Sequence, residues 1–203
     1  MVVESALAQT TAYQFSVAAP RRSSSGLDPV QLDQLWGPPT KGVLKCNIDG
    51  SYQEGKFEGS MAYICRDDQG RITDILFRRF SACSPFKSEF QVLTLTLQHL
   101  HHRGLQDAPL ELETDCLQLV EIVTGIRPPP WEQWPAIDET LFWLSNFSLL
   151  SLRHCRRPAN LVADWAAKAH LAHPAQNFTL SLMLELLDLL YADALAAGCN
   201  LPL

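Results

Sequence analysis

At 203 residues and 47% hydrophobic content, the chain is long enough for one core of ordinary size plus a tail or an appended helix. A formal charge of −6 excludes a global basic footprint, so any contact with nucleic acid must come from a local basic patch or from metal ions held by acidic residues. No apolar run reaches the roughly 18 residues that would suggest a membrane span.

Residues 1–40 lack sustained periodicity and contain PRRSSSG and WGPPTKG, a composition that suits a linker or disordered leader. Few acids and several Ala, Ser and Thr leave a transit-peptide reading open. The sequence does not fix a compartment; an intracellular one is expected, nuclear or cytoplasmic, with an organelle as the alternative. Trp36, beside a Pro-Pro corner, is suited to dock on the folded part.

The texture changes at Val43. Strand-like runs at about 43–51, 58–66 and 71–80 are separated by QEGKFEG and DDQG, which read as hairpin turns. An antiparallel meander is the simplest outcome. In the first run, Leu44, Cys46 and Ile48 alternate with Lys45, Asn47 and Asp49, placing the carboxylate opposite the apolar face and near the strand's end. Taken alone, Asp49-Gly50 reads as a hairpin turn.

A helix follows in SPFKSEFQVLTLTLQHLHHRG: Ser84 caps, Pro85 suits the first turn, and Phe86, Phe90, Leu93, Leu97 and Leu100 recur at helical spacing until Gly104. LELETD (110–115) alternates as a fourth strand, and CLQLVEIVTG reads as a short helix ending at Gly125. A rigid IRPPPWEQWP connection leads to a helix in IDETLFWLSNF and a fifth strand at 149–154. The next helix runs from about Asn160 to Leu171. This order gives an α/β fold: a mixed five-stranded sheet, three antiparallel strands and then parallel crossovers, with helices on both faces. The division is a leader (1–40), a domain (41–172) and a leucine-rich C-terminal helix (173–203). That helix carries no basic residue and is free to dock on the domain or on a protein partner.

Six cysteines are scattered without a CxxC pair and read as reduced core residues. His99, His101 and His102 point in different directions on a helix and do not complete a zinc site. Glu111 and Glu113 read as side chains on a partly exposed sheet end. Trp131 and Trp134 are read as a cover over the core, with stacking on bases as the alternative.

Four acids fall on informative places. Asp49 ends the first strand, Glu89 lies near the start of the first helix on the face of Leu93 and Leu100, Asp115 ends the fourth strand, and Asp164 is in the first turn of the helix after the fifth. A carboxylate on an apolar helix face is costly to bury unless it is paired or binds a metal. Oxygen ligands of this kind suit Mg²⁺ or Mn²⁺ rather than zinc.

These motifs, taken in order from Trp36 to Gly198, resemble the plant ribonuclease H-like domain of non-LTR retroelement reverse transcriptases, a branch of the type 1 ribonuclease H family. The resemblance rests on WGPPTKGVLKCNIDGS, SEFQVLTLTLQHLHHRG, LELETDCLQLVE, RHCRRPANLVADWAAKA and the terminal leucine-rich segment. It implies that Asp49, Glu89, Asp115 and Asp164 bind two Mg²⁺ or Mn²⁺ ions and hydrolyse the RNA strand of an RNA·DNA hybrid, with His154 assisting proton transfer or product departure. It also places Asn160 before the last helix, where a helix N-cap accounts for it equally well. Gly50, Ser51, Cys116, Arg156, Arg157 and Asn160 are the expected nucleic-acid contacts. Arg78, Arg79, Lys87 and Arg153 are further sources of positive charge. Cys116 stands where the family commonly has serine, and RPPPWEQWP replaces a basic handle. A monomer is expected. The alternative is an inactive, domesticated module of the same fold that binds nucleic acid or a protein. The chain has no room for polymerase fingers and palm.

Overall fold

The computed structural model describes residues 35–173 and 180–199. Residues 1–34 of the expected leader lie outside the described residues.

Five strands form one mixed sheet in the order β3-β2-β1-β4-β5: β1 Leu44–Gln53, β2 Glu58–Arg66, β3 Ile72–Ser81, β4 Leu110–Thr114 and β5 Leu150–His154. The first three pair antiparallel, and β4 and β5 run parallel to β1. Between β2 and β3 the Asp67 carboxylate accepts the backbone N–H groups of Gln69 and Arg71, both at 2.9 Å, and the Arg71 guanidinium. That is an Asx-type turn of the kind DDQG suggested. The first turn falls within the expected QEGKFEG stretch, and β1 runs two residues past its expected end, through Gly50 and Ser51 to Gln53. Asp49 is therefore a mid-strand residue opposite Ala62, and the Asp-Gly pair makes no turn.

Helix α1 (Pro85–His102) opens as its sequence dictates: Ser84 is extended, its hydroxyl accepts the Lys87 N–H at 3.2 Å, and Pro85 occupies the first turn. Helices α2 (Leu117–Val123) and α3 (Trp134–Leu144) complete that layer. Leu93, Leu97, Leu100, Leu119, Ile122 and Ile137 pack on Cys46, Ile48, Tyr63 and Leu112 of the sheet. Burying side chains of this size stabilises the fold by about 1.5–3 kcal/mol each. Trp131, 77% exposed, and Trp134 do not cover that core.

The second sheet face is covered by α4 (Leu161–Ala172) and α5 (Leu180–Ala196). Ala62 and Ile64 of β2 meet Val162, Ala166, Ala167, Leu186 and Leu190. The small alanines let α4 approach the sheet closely, and α5 packs in beside it. One buried cation anchors α5: Arg66, 1% exposed, donates to Asp193 at 3.1 Å and to Asn47 Oδ1 at 3.0 Å. Its guanidinium also lies 3.6 Å from the centroid of the Trp36 ring. Trp36, buried to 2%, packs in turn with Ala194 and Cys199. Among the described residues, no helix is long and apolar enough to cross a membrane.

Candidate active site

The site forms where the parallel part of the sheet ends. Pairing of β1 with β4 stops at Asn47 and Glu113, and β4 itself ends at Thr114, while β1 runs on against β2. A crevice at the carboxyl ends of parallel strands results, the place where open α/β sheets bind ligands. Asp49 lies two residues past the last paired position of β1, and Asp115 two residues past that of β4.

Although the alternation of β1 points Asp49 away from the α1 face, that direction is not solvent. The face is roofed by α4 and the 3₁₀ turn Arg157–Asn160, and Asp49 is only 5% exposed. Asn160 holds it: its Nδ2 donates to Ile48 O at 3.1 Å and toward Asp49 Oδ1 at 3.4 Å. Asn160 occupies the N-cap position of α4 but makes no side-chain cap bond, so the capping account of this residue is displaced by its contact with Asp49. Asn47 donates to Asn160 Oδ1 at 3.3 Å and to Glu113 at 3.1 Å.

Glu89 comes from the other layer, in the second turn of α1. A Cβ added at Gly50 would stand 3.0 Å from Val92 Cγ2 and 3.6 Å from Glu89 Oε2, so the bare glycine lets α1 bring its carboxylate up to β1. Gly50→Ala is accordingly expected to push Val92, and Glu89 with it, away from β1 and to cost about 1–3 kcal/mol of stability, which urea denaturation against wild type checks.

Asp115 follows β4 directly. Cys155 N–H donates to Thr114 O at 2.9 Å, tying the exit of β5 to the end of β4, and Arg157 Nε lies 3.6 Å from Asp115 Oδ2. Asp164, in the first turn of α4, receives Lys168 Nζ at 2.7 Å. Cys116 sits at the N-cap position of α2, half-buried.

The four acids sense one another. Burial pushes Asp49 up to about 9, helped by the charges of Glu89, Asp115 and Asp164 and partly offset by Lys168. Glu89 is pushed up to about 8 by burial and then by Asp115 and Asp164. Cys116 is raised to about 11 by burial, then by Glu89. A donor set of carboxylates that destabilise one another's charge fits a hard divalent cation. As the side chains stand, no three His, Cys, Asp or Glu residues among those described are grouped to hold an ion. Lys168 and Arg157 instead face two of the four acids.

His154 ends β5 opposite Thr114 and is exposed, as are Arg156 and Arg157 on the turn that follows. Ser51 faces Ser60 across β1 and β2. Arg79 is already engaged: it donates to the carbonyls of His170 at 3.0 Å, Leu171 at 2.8 Å and His173, closing the C-terminus of α4. Glu111 and Glu113 are not exposed either. They bind Lys45 at 3.4 and 2.9 Å in a ladder across β4 and β1, which Arg153 joins at 3.5 Å from Glu111. Lys45 was the signal: a lysine directly opposite Glu111 in the β1–β4 register, with Glu113 two residues further along the same face. His99 pairs with Asp74 at 2.8 Å and packs edge-on against Tyr63.

The same architecture occurs in solved structures. Ribonuclease H1 of the halophilic archaeon Halobacterium salinarum NRC-1 superposes with a TM-score of 0.59 at 19% identity, covering 64% of this chain and 98% of that one. The N-terminal ribonuclease H domain of a Mycobacterium tuberculosis protein gives 0.57 at 14%, covering 68% and 100%. LC11 ribonuclease H1, solved in complex with an RNA/DNA hybrid, gives 0.56 at 15%, covering 62% and 94%. No curated protein matches the sequence. The fold is thus ribonuclease H-like. Residues 47–170 match the reverse transcriptase-like family, more than half of the chain, and the protein belongs to that family.

Proposed function

We propose that this protein is a metal-dependent endonuclease that hydrolyses the RNA strand of RNA·DNA hybrids. The observation that carries the reading is the placement of Asp49, Glu89, Asp115 and Asp164 around one crevice, where burial first, and the charges of the other acids second, raise Asp49 and Glu89 well above the ordinary carboxylate range. The solved structure of a similar fold with a hybrid supports the substrate class. Residues 41–172 are taken to carry the site and 1–40 as a leader, with 173–203 as the helical extension that the domain needs to seal its second sheet face.

Asp49, Glu89, Asp115 and Asp164 would hold two Mg²⁺ or Mn²⁺ ions, which when bound supply an activated water and stabilise the departing 3′ oxygen. The chain's own groups do the rest. Asn160 orients Asp49, and bare Gly50 with Ser51 leaves space for the approach of a phosphate backbone. Arg156 and Arg157, exposed beside His154, supply phosphate contacts, and the backbone at Cys116 lines the rim. His154, in the position of a mobile imidazole, accepts or returns a proton as product leaves.

The competing reading is an inactive module that binds nucleic acid or a protein. It draws on the acidic net charge and on the loss of Arg79 to α4. Incubation of the full chain with a labelled RNA·DNA hybrid in Mg²⁺ or Mn²⁺ separates them. Cleavage that disappears in Glu89→Gln and is absent on a DNA duplex supports the enzyme. Intact hybrid after incubation with folded wild type supports the module.

A further inference from the structure

Two cysteines that take no part in the acidic site stand directly opposite each other in the antiparallel register, Cys46 on β1 and Cys65 on β2. Their sulfurs are 3.0 Å apart, with Cys46 donating to Cys65, and Cys46 also reaches the Tyr63 hydroxyl at 3.7 Å. A disulfide is about 2.05 Å long and spans Cα atoms about 4.4–6.8 Å apart, a window that includes directly opposed residues of an antiparallel pair. Closing the bond asks for a shortening of about 1 Å and no change of strand register.

We propose that Cys46 and Cys65 form a reversible disulfide linking β1 to β2, made by a small peroxide and undone by a thiol reductant. The thiolate of Cys65 attacks one oxygen of hydrogen peroxide, the O–O bond breaks, and the released hydroxide takes up a proton as water. Cys65 is then a sulfenic acid. The sulfur of Cys46 attacks the Cys65 sulfur, forming the S–S bond, and the expelled hydroxide leaves with the Cys46 proton as a second water. Two thiols lose two electrons, and one peroxide gains them. The hydrogen bond from Cys46 pulls the Cys65 thiol down to about 7, whereas burial pushes Cys46 up, which assigns the attacking role to Cys65.

Both sulfurs are sealed, 0% and 1% exposed, so a molecule the size of peroxide reaches them more readily than a bulky disulfide, and the reaction runs through local opening of the sheet. Cys46 precedes Asp49 by three positions on the same strand. The bond therefore fixes the strand that carries the central acid to its neighbour, independently of whether the site turns over.

Exposure of the folded full chain to graded hydrogen peroxide, quenching, alkylation and peptide mapping tests this directly. The expected result is a Cys46–Cys65 cross-linked peptide, lost on treatment with dithiothreitol, with a rise in melting temperature of roughly 5–10 °C. In Cys46→Ser both the peptide and the rise are absent. Full alkylation of both residues at a peroxide dose that already oxidises exposed Cys83 overturns the proposal. So does sulfinic acid at Cys65 in place of the cross-link, or a cross-link that dithiothreitol does not remove.

Discussion

Asp49→Asn is expected to abolish hybrid cleavage, by at least a thousandfold, and at the same time to make the metal-free protein more stable. Loss of a carboxylate at the centre of the site removes charge that ions would need, and electrostatic groups of this kind carry several kcal/mol of transition-state stabilisation. The stability gain follows from proton linkage. Burial raises folded Asp49 to about 9, whereas in the unfolded chain the group ionises near its ordinary value of 3.8. The folded state therefore binds the extra proton, and metal-free stability falls as pH rises from about 4 toward 9. At pH 7 the penalty is about 2–4 kcal/mol, and asparagine, which keeps an oxygen for Asn160, does not incur it. Melting in chelator at pH 5, 7 and 9 should show the variant's advantage growing with pH. Magnesium should raise the melting temperature of wild type and leave the variant unmoved. A less stable variant, or one that still cuts, contradicts the reading.

Arg66→Met is expected to destabilise the fold by about 3–5 kcal/mol, because Asp193 is then left buried without its cation. Asp193 is already raised by burial and held down only by Arg66. Removing both charges together, as Arg66→Met with Asp193→Leu, should restore most of the loss, since two apolar side chains can replace a buried pair. Urea denaturation of the wild type, the single variant and the double variant checks both statements. The single variant should also cut more slowly than its folded fraction predicts. Arg66 holds Asn47, Asn47 holds Asn160, and Asn160 holds Asp49, so the contact chain that fixes α5 ends at the central acid. Equal specific activity of single variant and wild type, corrected for folded fraction, would separate the two roles.

Strand and helix order followed from local pattern, because alternation and helical spacing are properties of neighbours in sequence. The five strands, the Ser84 cap and the stop of α1 near Gly104 all arise within a few residues of the signals that announce them. What local pattern could not convey is which polar faces are covered. Glu111 and Glu113 alternate with leucines just as an exposed edge would, yet Lys45 and Asn47, distant in sequence on β1, satisfy them. Asn160 carried two readings at once, and only the approach of β1 decided between a cap and a contact with Asp49. For the same reason Asp49 looked like a turn residue: its strand partner Ala62 lies beyond the real turn. The docking of α5 depends on Arg66, over a hundred residues earlier, which nothing within the helix announces.

The anchoring of α5 bears on where this protein can be cut. The family match closes at residue 170, and a fragment ended there would look complete by that measure. It would nevertheless uncover the sheet face that Leu186 and Leu190 seal, and would strand a guanidinium whose carboxylate lies at Asp193. Such a fragment should aggregate or unfold, and its silence in a cleavage assay would say nothing about the chemistry. The smallest piece worth assaying runs from before Trp36 to beyond Cys199.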